Sequence, residues 1–403
     1  LNEFITQHNN LWNHLSNQEV IDWYEVVSEK ELNHLLLSGK EMFDLPPKLL
    51  VQQVKSYRKI KSKAPGLDFS RGLVFPDKNN VEQCSSEFTA KFKTQFLADL
   101  EVENIVDVTG GWGIDVIYFS ESIPKVTHIE IDAALQKIAQ YNFQKLGLEI
   151  DSSSSDYRDK PPSFYKNKWV YADPMRREGH NRILGWEGQS PNPKALIDWV
   201  IHRNCLGLML KLSPMDDLTW VREQLPENCG SCFLVLEVGT ELKEVLLVIT
   251  MEQKAKLQNR IVFIQRPNGT IHSYSQNEIE QTQITPSASR FIYVPRPALN
   301  KMGWAKLMPN LTEAEDLGSD LWMTNAELNT QAFRKFEVIE EVPSTIKKLK
   351  KRFGKSDLHV ISKGFGLSAD QIQSQLSLRP KGENFLIFTG YQGKRKVFLA
   401  KSS

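Results

Sequence analysis

The chain has 403 residues, enough for two to three domains, with 40% apolar and 25% charged residues and a formal net charge of +1. No run approaches the ~20 apolar residues of a membrane helix. Residues 1–13 are polar and lack the basic-then-apolar pattern of a secretory signal, so a cytoplasmic location is expected. Four cysteines, Cys84, Cys205, Cys229 and Cys232, are too few and too scattered for a disulfide scaffold. Cys229-Gly-Ser-Cys232 has the spacing of half a zinc site or a redox pair. With no second ligand pair nearby it reads as buried or turn cysteines, and no metal is expected. Near-neutrality hides an asymmetry: residues 343–403 carry 13 Lys and Arg against 3 Asp and Glu. Such a tail suits a polyanion, or serves as a solvated face.

Residues 1–63 pattern as helices, with Pro46-Pro47 opening one that ends in a basic run, Lys55 to Lys63. That run fits nucleic acid or a solvated helix face. Residues 69–76 read as a loop or short strand, and 85–100 as a helix. Strand and helix patterns then alternate, as in an open parallel sheet. The expected strands are 105–108, 126–131, 148–150, 169–172 and 205–212. The polar run Ser152 to Ser155 reads as a loop. Two strand patterns, 232–238 and 242–251, have too short a link for anything but an antiparallel pair. A second hairpin, 260–265 with 270–274, follows. Beyond it come a strand at 290–294, a helix at 298–308, and a basic segment with a helix at 344–353 and a final hairpin. The expected division is 1–65 helical, 66–275 an α/β sheet domain, 276–342 a small α+β module and 343–403 the basic end.

Four stretches carry chemistry. The first strand runs into a glycine turn, Asp107-Val-Thr-Gly-Gly-Trp-Gly113, and then a helix, which presents backbone amides to a nucleotide-like ligand or forms a bare structural turn. Asp107 there can hold amides or an amino group. Some twenty residues on, Glu130 suits the two hydroxyls of a ribose, and Asp132 suits a helix cap. Asp156 either accepts from an adenine amine or is a loop acid. Asp173-Pro-Met-Arg176 stops the fourth strand at the sheet's carboxyl edge, where α/β sheets hold ligands.

In this order the stretches resemble the class I S-adenosylmethionine-dependent methyltransferases. Asp107-Val-Thr-x-Gly-x-Gly-x-Asp115 and Tyr171-x-Asp-Pro-Met175 are similar to a bacterial family that methylates a guanine exocyclic amine in 16S rRNA. Over its length the chain resembles class I methyltransferases with a C-terminal THUMP-like domain. The resemblance implies an α/β fold with a Rossmann-like sheet ending in an antiparallel hairpin, preceded by a helical region and followed by ferredoxin-like and THUMP-like modules. It implies S-adenosylmethionine as cofactor and S-adenosylhomocysteine as product. Asp107, Thr109, Gly110, Gly111, Gly113 and Asp115 would form the first cofactor motif, with Glu130 on the ribose and Asp156 on the adenine. Asp173, Pro174 and Arg176 would face the acceptor, a base nitrogen of rRNA or tRNA bound through the basic end.

Arg176 stands where base-amine methylating families place an aromatic, so the loop 178–193, with Arg182 and Trp186, is expected to supply a stacking surface. Phe365 and Tyr391 hold further stacking positions. Cys205, inside an apolar run, does not suit a thiol nucleophile. A Lys-Asp-Lys-Glu set for ribose methylation cannot be picked out of the sequence. A protein or small-molecule methyltransferase, or an inactive RNA-binding protein on this fold, are the alternatives.

Overall fold

The computed structural model describes residues 9–176, 186–227, 229–251, 257–307 and 314–403. The chain forms two compact units, Leu1–Phe233 with Lys243–Gln258, and Leu234–Leu242 with Asn259–Ser403. Among the described residues no helix is long and apolar enough to cross a membrane.

Among the described residues the first unit opens with four helices, α1 (Asn9–Leu15), α2 (Gln18–Val26), α3 (Glu29–Ser38) and α4 (Pro47–Lys63). Ser28 and Glu31 close a capping box that satisfies two otherwise orphaned N–H groups at the start of α3, and left-handed Gly39 ends it. Pro47 opens α4 with its ring φ already helical. One face of α4 buries Leu50, Val54, Tyr57 and Ile60, and its Tyr57 ring lies 5.5 Å from that of Tyr24. Three of the five cations in the basic end of α4 have internal partners, while Lys55 and Lys59 are exposed. Arg58 pairs with Glu29 at 2.9 Å, Lys61 pairs with Glu25, and Lys63 donates to the carbonyls of Val81, Glu82 and Cys84.

Two further helices, α5 (Lys78–Gln83) and α6 (Glu87–Asp99), lead into the sheet. Its strands are β1 (Asn104–Asp107), β2 (Lys125–Glu130), β3 (Asp151–Ser154) and β4 (Trp169–Ala172), followed by a small antiparallel pair, β5 (Met175–Arg176) with β6 (Gln189–Ser190), and then β7 (Gly207–Leu212). The parallel order is β7-β4-β1-β2-β3, with Ile105 beside both Val126 and Trp169. Central β1 and β4 read as unbroken apolar runs because helices cover both faces of such a sheet. Those helices are α7 (Ile114–Phe119), α8 (Ala133–Leu146), the single turn α9 (Pro162–Tyr165), α10 (Pro193–His202) and α11 (Leu218–Glu223). The chain then runs through β8 (Gly230–Val238) and β9 (Glu241–Thr250), and β9 pairs antiparallel with β7, Leu212 opposite Val245. The expected antiparallel finish is present.

Two local expectations change. The serine run read as a loop is strand β3, pairing with β2 from Thr127–Asp151 to Glu130–Ser154. It lies at the end of the strand order, where polar side chains remain solvated, so it lacks the apolar signature of an inner strand. The helix expected over 298–308 is α13 (Pro297–Lys301) and a separate 3-10 turn, Trp304–Leu307, split by left-handed Gly303. The segment 69–76, expected as a loop or short strand, is a loop that begins with a 3-10 turn, Phe69–Arg71.

In the second unit β8 pairs parallel with β10 (Arg260–Ile264), which forms a hairpin with β11 (Ile271–Ser275). Helix α12 (Gln276–Glu280) follows. A seven-stranded sheet then combines β12 (Ile284–Pro295), β13 (Glu315–Gly318), β14 (Leu321–Leu328), β15 (Phe333–Val342), β16 (His359–Lys363), β17 (Asn384–Tyr391) and β18 (Lys394–Ser402). One apolar cluster, with Val342, Leu386, Phe388 and Val397, takes in Leu349 and Phe353 of α14 (Ile346–Phe353) and Ile372 and Leu376 of α15 (Ala369–Leu376). Another contains Ile292, Phe336, Ile387 and Phe398. Phe365, expected as a stacking residue, belongs to the first cluster, its ring 4.9 Å from that of Phe388. Tyr391 is half-exposed.

Candidate functional site

The carboxyl ends of β1 and β4 open onto a cavity of about 320 Å³ in the first unit, lined by Asp107, Thr109 to Asp115, Tyr171, Asp173 to Met175, and Asn80 with Gln83 to Ser85. The glycine turn forms one wall, and two of its glycines are required by packing. A Cβ on Gly110 would lie 2.3 Å from the His128 ring, and one on Gly113, which has φ +87°, would lie 2.5 Å from Phe143. Gly111, with φ +54°, is different: a Cβ there would meet only the Thr109 carbonyl, at 3.8 Å. Gly111 is therefore the point of the turn open to a ligand.

The acids at the strand ends have distinct surroundings. Asp107 Oδ1 accepts from the Thr109 N–H at 2.9 Å and from its hydroxyl at 3.2 Å. Burial drives the Asp107 carboxyl well above the usual range, only partly opposed by the Thr109 N–H. Glu130 accepts from the Gly111 N–H at 2.7 Å through Oε2 and from the Asp132 N–H at 2.8 Å through Oε1. Burial raises its pKa as well, against those two amides. Asp132 caps α8, accepting from Ala134 and Leu135 at 2.8 and 3.1 Å, which leaves Glu130 as the acid against the glycine turn. Ile131, between them, exposes its apolar side chain. Asp156 lies beyond Ser155, whose N–H donates to the Glu130 carbonyl at 3.2 Å. Its carboxylate holds the N–H and guanidinium of Arg158 and does not line the cavity.

Asp173 is fixed from two sides. Its N–H donates to the Thr109 hydroxyl at 2.7 Å, and its Oδ2 accepts from Lys211 Nζ at 2.7 Å. Lys211 also stands 3.8 Å from Glu244 Oε1. Behind them lies Lys93, fully buried, 2.8 Å from Asp115 Oδ1 and 3.0 Å from Glu244 Oε2. These two contacts are ion pairs without hydrogen-bond direction. Directed bonds run from Lys93 to Ser85 Oγ at 2.8 Å and to the Tyr171 hydroxyl at 3.1 Å. Ser85 and Tyr171 donate in turn to Asp115 Oδ2 at 2.8 and 2.9 Å. Burial works against the Lys211 charge, but Asp173, Glu244 and Asp115 outweigh it and hold the ammonium above its ordinary range. Glu244 is pulled down to about 2, burial being overcome by Lys93 and Lys211. Burial raises Asp173, with Lys211 opposing.

Asp173, Lys211, Glu244 and Lys93 thus form a chain of alternating charges running inward from the cavity edge. Its one signal in the sequence is Lys211, a lone charge in the apolar run of β7; Lys93 and Glu244 have charged neighbours, Lys91 and Lys243. Antiparallel β9 delivers Glu244 next to Lys211, because Leu246 lies opposite Lys211 in the ladder.

The structure thus brings Asp107, Thr109, Gly110, Gly111, Gly113, Asp115, Asp173 and Pro174 to one cavity, with Glu130 bonded to its glycine wall. The backbone of Arg176 pairs with Gln189 in the β5–β6 ladder. Its side chain, and Arg182, lie outside what is described. Trp186 is buried edge-on to Trp220, ring centroids 5.0 Å apart, so it is not the expected stacking surface. None of the four cysteines forms a disulfide, and Cys205 is buried.

The donor set fits S-adenosylmethionine. Gly111 leaves open space for an approaching ligand, acids stand at the ends of β1 and β2, and an exposed apolar residue adjoins the second acid.

Comparison with known proteins supports the fold. Residues 333–402 match the family model of the THUMP domain-like domain, ahead of the expected boundary at 343. A protein described as a candidate methyltransferase from Porphyromonas gingivalis W83 superposes with a TM-score of 0.73 at 22% identity, over 96% of this chain and 98% of the other. One described as a candidate class I S-adenosylmethionine-dependent methyltransferase from Listeria monocytogenes aligns at 11% identity over 65% of this chain and 93% of the other, with a TM-score of 0.39. No curated protein matches the sequence. The first unit has the class I methyltransferase fold, and the chain ends in a THUMP-like domain.

Proposed function

We propose that this protein binds S-adenosylmethionine in the first unit and methylates RNA. The observation that carries the reading is the convergence of Asp107, Gly111, Glu130 and Asp173 on one carboxyl edge of a parallel sheet, around a cavity whose glycine wall is open at Gly111. Bound there, S-adenosylmethionine supplies an electrophilic methyl group on a sulfonium.

Asp107, Thr109 and the open backbone at Gly111 hold the amino-acid end. Glu130, its orientation set by two amides, accepts from the ribose hydroxyls through its remaining lone pairs. Ile131 gives the adenine an apolar face, and Asp156 can accept from its amine on exchanging Arg158. Asp115 braces the far wall through Ser85, Tyr171 and Lys93. Asp173 and Pro174 face the acceptor. Holding donor and acceptor in line is the larger part of the catalysis, together with a route for one proton.

RNA as substrate rests on the THUMP-like domain and on the exposed cations of α14, Lys347, Lys348, Lys350 and Lys351. An acceptor, a base nitrogen as expected from the sequence or another group, would meet Asp173 Oδ1, since Oδ2 accepts from Lys211. Calorimetry with S-adenosylmethionine tests the reading: micromolar binding that Glu130→Ala weakens at least tenfold is expected. No heat of binding at millimolar cofactor would sink it.

A further inference from the structure

Four buried or half-buried charges alternate in sign from the cavity inward: Asp173, Lys211, Glu244 and Lys93. We infer that they are built for a hydroxyl acceptor, and that the protein methylates a ribose 2′-hydroxyl of RNA held at Asp173, with the Lys211 ammonium bonded to that carboxylate. The inference rests on the methyl-transfer reading above and adds the acceptor atom.

The first argument concerns charge development. A base amine attacking a methyl group becomes positive as its new bond forms. A hydroxyl must shed its proton and becomes more negative. A fixed ammonium beside the acceptor opposes the first change and favours the second. Lys211 is such an ammonium, 2.7 Å from the carboxylate that faces the cavity. It is also preorganised, because it projects from the interior strand β7 and leans on Glu244.

The second argument concerns Lys93. Glu244 alone would neutralise Lys211. Lys93, fully buried, shares Glu244 and satisfies Asp115 at the same time. It thereby leaves the Lys211 charge directed at Asp173. A hydrophobic residue could fill the same space more cheaply in desolvation energy, so a buried lysine there is costly unless its charge is used.

The third argument concerns stacking. Bringing a base amine to the cavity requires the base to be extruded and held, commonly on an aromatic face. The described aromatics at the cavity are closed: Tyr171 and Trp112 are buried, and the Trp112 indole donates to the Val74 carbonyl at 3.1 Å. A 2′-hydroxyl lies on the sugar edge and needs no extruded base.

In the transfer the hydroxyl oxygen forms its bond to the methyl carbon as the carbon–sulfur bond breaks, its electron pair going to sulfur. The hydroxyl proton passes to the Asp173 carboxylate and then to water. The sulfonium charge and the proton leave in balance, giving a neutral ether and a neutral thioether.

The test uses the full chain, a pool of unmodified cellular RNA and methyl-labelled S-adenosylmethionine. After alkaline hydrolysis, label is expected in dinucleotides, because a blocked 2′-oxygen resists cleavage, and mass spectrometry is expected to place it on ribose. Label on a base overturns the inference and leaves the methyl-transfer reading standing. Absence of calorimetric cofactor binding overturns both. Lys211→Met is expected to lower transfer at least about 100-fold, with cofactor affinity within about threefold of the wild type and a cooperative melt. Transfer within threefold of the wild type in that variant also overturns it. The product is identified on the wild-type chain, so that measurement does not depend on the variant folding.

Discussion

The Asp173 N–H donates to the Thr109 hydroxyl at 2.7 Å, joining the ends of β4 and β1. Thr109 has its own hydroxyl proton directed at Asp107 Oδ1, 3.2 Å away, so its oxygen can only accept from Asp173. Thr109→Val keeps the volume but removes the acceptor, leaving a part-buried N–H unpaired at a cost of about 1–3 kcal/mol. Asp173 should then lose its fixed position. The expected result is a methyl-transfer rate at saturating cofactor down about tenfold or more, and Thr109→Ser close to wild type. Equal losses in the serine and valine variants would show that the hydroxyl is not what matters.

Lys93 pairs with two buried carboxylates, and removing it leaves Asp115 without its ion pair and Glu244 with Lys211 alone, 3.8 Å away. Lys93→Met is predicted to destabilise the first unit by about 3–5 kcal/mol, the usual cost of breaking a buried pair from one side. Lys93→Met with Glu244→Gln should recover part of that loss, since the second change removes one stranded charge. Urea melts of the three proteins check this. Additive losses in the double variant would mean that Lys93 and Glu244 do not interact as their 3.0 Å separation indicates.

Much of this site was legible in the chain because its backbone parts are contiguous. The glycine turn, Glu130 and the Asp-Pro at 173 each end an apolar strand, and periodicity locates strand ends well. The division of labour between Glu130 and Asp132 also follows from local rules, since Asp132 stands at the helix N-cap. Lys93, Lys211 and Glu244 were not legible, because they meet only after α6, β7 and β9 pack together. Only Lys211 interrupts an apolar run, which is a real signal without a partner attached. Trp186 and Phe365 failed for the opposite reason. Aromatic side chains in polar or glycine-rich loops suggest stacking, whereas burying their area is worth more than exposing it to an absent ligand. β3 escaped because a strand at the end of the strand order can be made of serine and still complete a ladder.

His128 sits beneath the glycine turn, its Nε2 3.2 Å from the Gly111 carbonyl and its ring centroid 5.3 Å from that of Phe143. Nδ1 is buried with no partner, so the ring is neutral with its proton on Nε2. Burial lowers its pKa from 6.5 to about 4, the Gly111 and Gly110 carbonyls opposing only in part. Below pH 6.5 the unfolded chain therefore takes up this proton before the folded chain does. Stability from the neutral ring is complete above about pH 6.5, declines as pH falls, and levels off below about pH 4, a total of roughly 3 kcal/mol. His128→Phe should remove that slope. Glu244, pulled to about 2, acts at lower pH and is common to both proteins. Stability curves running parallel between pH 7 and 4 would remove His128 as the cause.

Helix α14 buries Leu349 and Phe353 and turns Lys347, Lys348, Lys350 and Lys351 to solvent. Exposed lysines at i and i+4 share a face, so Lys347 and Lys351 can meet neighbouring phosphates. Reversing both, Lys347→Glu with Lys351→Glu, should leave the helix intact, because its apolar side is untouched. Affinity for RNA at 100 mM salt is expected to fall at least about tenfold, and the slope of log affinity against log salt to flatten by about 1.4, two phosphates' worth on a single strand. Cofactor affinity belongs to the first unit and should not change. Filter binding across a salt series, with calorimetry beside it, separates the outcomes. An unchanged salt slope would move the RNA contact away from α14, and a parallel loss of cofactor binding would point to misfolding instead of lost phosphate contacts.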